Sequence, residues 1–188
     1  MSDYESLANQ FLIAMPSMAD PNFERSVTLI CEHTAEGALG LIINKTTSLN
    51  LGQVFEQLEL THKDTDVLPD QPVMHGGPVA TSRGFVLHDL DQHWDSSLRL
   101  DNGLHLTTSR DIMEAMACGE GPGQALFALG YAGWTAGQLE SEIADNAWLS
   151  VASSSELIFD TPVEQRWDAA TRLLGIDPSR LSSVAGHS

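Results

Sequence analysis

Polar side chains able to do chemistry sit at the ends of apolar runs in the first half of this chain: Arg25, Glu32-His33, Asn44, His75-Gly76-Gly77-Pro78, Arg83 and His88. Guanidinium, imidazole and amide groups beside glycine backbone suit an anionic or amide-bearing ligand, provided the strand ends converge at one sheet edge. The candidate ligand-binding residues are therefore Arg25, His33, Asn44, His75, Gly76, Gly77, Arg83 and His88. If His75, Arg83 and His88 share a pocket, acid–base imidazoles and an anion-holding arginine would allow hydrolysis or group transfer on a small molecule. The competing reading is that Arg25 and Arg83 pair with nearby carboxylates and pin loops.

Other chemistries are poorly supported by spacing. His33, His75, His88, His93 and His105, with Glu32, Asp89 and Asp91, invite a metal, but His88 and His93 are five apart and match no helical histidine motif. No metal and no cofactor are expected. Ser17, Ser26, Ser82 and Cys31 could each be named a nucleophile, yet triads are defined by geometry, so no catalytic residue is assigned. Turn-capping loop serines and a buried thiol are the preferred account of them.

The stretch LGYAGWTAGQLESEIADNAWL, Leu129 to Leu149, reads as a buried strand passing through a glycine-rich turn into a helix. Thr135 and Gln138 have the spacing of a capping box, which would satisfy amides that a phosphate would need. Glu140 and Glu142 repel an anion, no P-loop lysine follows, and the apex Ala132-Gly133-Trp134 lacks a serine or cysteine. The stretch is expected to be a packing joint, with Gly133 intolerant of a methyl group and Trp134 a core anchor.

The elements that must position these residues follow from periodicity. Phe11 to Met15 is a strand, and Val27 to Cys31 and Leu39 to Ile43 form an antiparallel pair. Asn50 caps a helix from Leu51 to Leu58, followed by the polar loop THKDTDVLPDQP. Val73 to His75 and Phe85 to His88 form a hairpin or crossover, and Asn102-Gly103 turns a hairpin between Leu98–Leu100 and Leu104–Leu106. Ser109 starts a helix with Ile112, Met113, Met116 and Ala117 on one face. Ala125 to Leu129 is a strand, Leu139 and Ile143 mark a helix, and Ala147–Ala152 and Leu157–Phe159 are further strands. A last helix spans Val163 to Leu174. Strands in pairs first and helices later predict an α+β fold with a mixed sheet.

The 188 residues suit a single domain over 1–188, with residues from about 179 to 188 as a loosely packed C-terminal tail. Twenty-six acidic against nine basic residues give a net charge of -17, so nucleic acid is excluded as a partner and solubility explains the acidity. Cys31 and Cys118 form no redox or zinc pair. The polar N-terminus MSDYESLANQ and the absence of long apolar runs predict a cytoplasmic protein without a membrane partner. A protein or small molecule is the partner expected; oligomeric state is not encoded legibly.

The chain resembles the AlgH/YqgE family of small bacterial proteins from about Asn9 to Gly186. The resemblance rests on FLIAMP, DPNFERSV, CEH, GALGLIIN, HGGPV, RGFVLH, GPGQALFALGYAGW, GQLESEI, NAWL and the closing Gly186-His187. It implies a single α+β domain with a branched or barrel-like sheet flanked by helices. It implies no agreed catalytic residues, and a link to regulation, including transcriptional regulation, of alginate exopolysaccharide production. A cytoplasmic regulatory or binding module without catalysis is the resulting expectation.

Overall fold

The computed structural model describes residues 6–16, 18, 20–60, 71–89, 94–100 and 103–176. Strand β1 (Gln10–Ala14) lies antiparallel to β2 (Val27–Thr34), which turns at Ala35-Glu36 into β3 (Gly37–Ile42). Strand β4 (Thr46–Asn50) runs into helix α1 (Leu51–Gln57), and its last residue caps that helix. Asn50 Oδ1 accepts the Gln53 amide and Gln53 Oε1 accepts the Asn50 amide, both at 2.9 Å, a complete capping box. Next come β5 (Pro72–His75), β6 (Val79–His88), β7 (Ser97–Arg99) and β8 (His105–Thr107), followed by α2 (Arg110–Ala117). The chain continues through β9 (Ala125–Thr135), α3 (Gln138–Ala144), β10 (Trp148–Ala152) and α4 (Ser155–Phe159). A 3-10 turn at Val163–Gln165 leads into α5 (Arg166–Leu173).

Among the described residues ten strands form one α+β sheet, whose main path β10-β1-β2-β3-β9-β6-β8-β7 curls as an open half-barrel. The sheet branches at β9. One edge of β9 pairs with β6 from Ala125 to Tyr131, with a register break between Leu129 and Tyr131; the other pairs parallel with β5 at Ala128 and Leu129, then antiparallel with β3 from Ala132 to Thr135. Gly130, with φ +81, shifts the inward–outward alternation at the branch. Leu126 and Ala128 before it, and Tyr131 after it, consequently face the same central core as Phe11, Leu29, Leu41 and Phe85. That core is covered by α4 and α5. The opposite face carries two smaller cores: Val54, Val86, Met113 and Phe127 under α1 and α2, and Leu12, Ile30, Trp134 and Trp148 under α3.

Four expectations need correction. Leu157–Phe159 is part of α4 rather than a strand, because the Ser154 hydroxyl accepts the Leu157 amide at 3.3 Å and starts a helix. LGYAGW contains no turn: β9 runs on to Thr135, and the chain turns at Ala136-Gly137, where Gly137 has φ +78. Only half of the capping box forms, since both the Thr135 amide (3.0 Å) and its hydroxyl (3.3 Å) donate to Gln138 Oε1 and neither caps the helix. The antiparallel β2–β3 pair, the β7–β8 hairpin, and the buried face of α2 agree with the sequence reading. Trp134 is a core anchor, 6% exposed, and Glu142 Oε1 accepts both its indole N–H (3.0 Å) and that of Trp148 (2.9 Å). The 61–70 segment, Ser17, Asp91, His93 and the 179–188 tail lie outside the described residues.

Gly133 is not the constrained glycine. A Cβ there meets only the Tyr131 ring at 3.5 Å, an ordinary contact, whereas a Cβ on Gly130 would lie 2.4 Å from the Gly77 carbonyl oxygen. Urea melts are therefore expected to show Gly133→Ala within about 1 kcal/mol of the parent, and Gly130→Ala destabilised by about 2 kcal/mol or more. Trp134→Ala should lose about 3 kcal/mol or more.

Candidate functional site

The sequence-named residues fall into separate neighbourhoods. Arg25 and Asn44 meet at the start of β2, where Asn44 Oδ1 accepts the Val27 amide and Nδ2 donates to the Arg25 carbonyl, both at 2.8 Å. The Arg25 guanidinium lies 4.2 Å over the Trp167 ring and 3.9 Å from Asp168, an exposed contact that pins the loop to α5. His75 is half-buried at the end of β5, tied to this region through its amide, which donates to the Lys45 carbonyl at 2.7 Å. Gly76 and Gly77 follow and press against β9.

His33 sits at the far end of β2. Its Nδ1 accepts the Leu7 amide at 2.9 Å, which places the ring proton on Nε2, 2.6 Å from Glu140 Oε1. Arg83 is exposed, 5.3 Å over the Phe85 ring, and so stands on the face of β6 opposite Gly84 and Val86. His88 is fully buried, stacked on His105 at 5.5 Å, and its Nε2 lies 2.7 Å from Thr107 Oγ1. Thr107 Oγ1 also contacts Ser97 Oγ, making an imidazole–hydroxyl–hydroxyl chain across β6, β8 and β7. Thr107 and Ser97 were not visible as partners in the sequence. Their encounter depends on the pairings Val86↔Thr107 and Ser97↔Thr107, which strand register decides.

A cavity of about 460 Å³ opens between α1, α2 and the β6–β8–β9 part of the sheet. Val54, Leu58, Val86, Met113, Phe127 and Leu129 make its apolar wall, and Thr81, Ser82, Thr107, Thr108, Ser109 and Arg110 line it with polar groups. Gly84 makes room for the Phe127 ring, which a Cβ would meet at 2.9 Å. Arg110 donates to the Leu58 carbonyl and, at 3.2 Å, to Glu114, joining α2 to the end of α1. At the start of α2, burial alone would raise the Asp111 carboxyl. Hydrogen bonds from Ser109 and from the Asp95 and Ile112 amides outweigh it and hold the group below its ordinary range. The volume falls in the range of small-molecule sites. None of His75, Arg83 and His88 lines this cavity; His88 reaches it through Thr107.

A family model described as AlgH-like (DUF179) matches residues 11–179. The chain belongs to the AlgH-like family. A UPF0301 protein of Xanthomonas campestris pv. campestris is 51% identical over 181 residues, covering 96% of each chain. One from Saccharophagus degradans is 52% identical over 185 residues, 98% of this chain and 90% of the other. The solution structure of AlgH from Pseudomonas aeruginosa superposes with a TM-score of 0.80 at 46% identity, covering 100% of this chain and 99% of that one. Protein DIP2367 from Corynebacterium diphtheriae shares the fold, with a TM-score of 0.73 at 22% identity over 98% of this chain and 94% of its own.

In this AlgH-like chain no three His, Cys, Asp or Glu side chains are grouped as metal ligands among the described residues. Cys31 is a buried thiol: desolvation first, and Glu32 second, push it up to about 12 from its ordinary 9.0. Cys118 is exposed. In native protein, a thiol reagent at pH 8 should label one cysteine promptly and the second only on unfolding. Because the folded-state value is the higher one, the Cys31 contribution is intact below pH 9.0 and fades as pH rises toward 12. The urea midpoint should accordingly fall less between pH 8 and 10 in Cys31→Ala than in the parent.

Proposed function

We propose that this AlgH-like protein is a cytoplasmic binding module with a regulatory role and no catalysis, whose small ligand enters the cavity between α1 and α2. The observation that carries this reading is the cavity itself: an apolar wall for the body of a ligand, and hydroxyls with Arg110 for a polar end. Two of the candidate bases are already committed within the fold, His33 to Glu140 and His88 to Thr107. No helix of the described residues is long and apolar enough to cross a membrane. A ligand wedged between α1 and α2 would favour the arrangement of these helices that accommodates it, which is how binding becomes a signal to a partner. The link to exopolysaccharide production that the family resemblance implies fits such a role.

One observation favours the alternative of a hydrolase or transferase. His88 Nε2 lies within hydrogen-bond reach of the Thr107 hydroxyl, as a general base lies beside a nucleophile. Against it, Arg83 is exposed on the other face of β6, and the His88 ring has no exposed surface.

Anilinonaphthalene sulfonate, an apolar body with one anionic end, is a suitable probe. Its fluorescence should rise saturably with native protein and require at least about tenfold more probe in Ser82→Trp, where a new ring on an exposed rim position blocks the cavity. Equal affinity in Ser82→Trp would remove the cavity from the account. Release of nitrophenol from nitrophenyl esters that disappears in Thr107→Val would favour the enzyme instead.

A further inference from the structure

The other face of β9 carries a second cavity, about 450 Å³, between β5, the start of β9 and the passage from α4 to α5. Met74, Leu126, Ile158 and Phe159 give it apolar walls. Arg166 lines it too, although the residue is only 7% exposed. Its Nε donates to the Thr161 carbonyl at 3.0 Å and its Nη1 to the Ile43 carbonyl. Among the described residues Nη2 has no protein acceptor, and no carboxylate lies within ion-pair reach of the guanidinium. Asp168, on the same helix, is turned toward Arg25 instead.

A buried cation without a counter-ion is costly, and two backbone carbonyls could be bridged by a neutral side chain without that cost. Burial lowers Arg166 to about 10, against a smaller opposing effect of Glu164, so the group is still charged at neutral pH. In a chain of net charge -17, Arg166 borders an open cavity with no carboxylate of the described residues in ion-pair reach, and Glu164 acts on it only from a distance. The two carbonyls fix the plane of the guanidinium, which leaves Nη2 preorganised for one further acceptor.

We propose that this second cavity binds a small organic monocarboxylate, its charged end on Arg166 Nη2 and its apolar body against Met74, Leu126 and Phe159. Asp160, exposed at the rim and accepting from Gln124 Nε2 at 3.2 Å, together with Glu164, disfavours more highly charged anions. A carboxylate is therefore preferred over a phosphate monoester dianion.

The test is a titration of the full chain with 3-phenylpropanoate, followed by amide and arginine Nε NMR shifts. Saturable shifts are expected at Gly123 to Leu126, Phe159 to Val163 and the Arg166 side chain. 3-Phenylpropanol and phenyl phosphate should each bind at least about tenfold more weakly, which separates charge from apolar contact and carboxylate from phosphate. Arg166→Gln should weaken the carboxylate about tenfold or more. Because that variant also loses its ties to Thr161 and Ile43, Gly123→Trp is the second probe. Gly123 is exposed with nothing within 4 Å of a new Cβ, so tryptophan there closes the mouth and leaves Arg166 in place. Shifts confined to the first cavity, linear shifts without saturation, equal affinity for the alcohol, or unchanged affinity in Gly123→Trp would each overturn the proposal.

Discussion

The approach of the Gly76-Gly77 backbone to β9 at Gly130 is the constraint on which the rest depends. A Cβ on Gly76 would lie 2.3 Å from the Gly130 carbonyl oxygen, and one on Gly77 would lie 2.1 Å from the Tyr131 carbonyl carbon. Only bare backbone fits. The approach lets the Gly76 amide donate to the Leu129 carbonyl at 2.9 Å while its own carbonyl accepts the Ile42 amide at 2.8 Å. One residue thereby ties the end of β3 to β9 just where β5 gives way to β3 along the same edge. With φ positive at both Gly77 and Gly130, the crossing is open to glycine and strained for other residues.

From that branch follow the two faces and the two cavities. Before Gly130, β9 alternates between the α1–α2 side, where Phe127 borders the first cavity, and the α4–α5 side, where Leu126 borders the second. After it, the strand turns Trp134 toward α3, where Glu142 gathers two indole N–H groups and, through Oε2, the Gln138 amide at 2.9 Å. Three donors satisfy a half-buried carboxylate that has no cationic partner among the described residues. The acidic composition is thus compatible with ordered local chemistry. The buried Arg166 is the opposite case, a cation whose hydrogen-bond partners among the described residues are two backbone carbonyls.

Legibility in the sequence followed the range of the interactions. Helices α1 and α2 were readable because apolar spacing and start residues are local, and the β7–β8 hairpin because its turn is. Leu157-Ile158-Phe159 differs from the strand its pattern suggests because a short apolar run fits a strand and a helix equally well, and the Ser154 cap decides it. In LGYAGW the glycines stand out locally, but which of them faces a carbonyl depends on Gly77, more than fifty residues away. His88 stands out in the sequence at a strand end, whereas Thr107 and Ser97 do not, because only strand register brings them together. Arg166 gave no signal at all: the carbonyl that helps bury it belongs to Ile43, 123 residues earlier.

Native-state hydrogen exchange of the full chain measures the branch point most directly. The Gly76, Ile42 and His75 amides donate to carbonyls of Leu129, Gly76 and Lys45, so all three report on this one crossing. If the crossing holds the sheet together, they exchange only through global unfolding, with an opening free energy equal to that of the urea melt. Exchange of these three amides through a local opening of much lower free energy, while the Phe11 and Leu29 amides stay protected, would contradict the account.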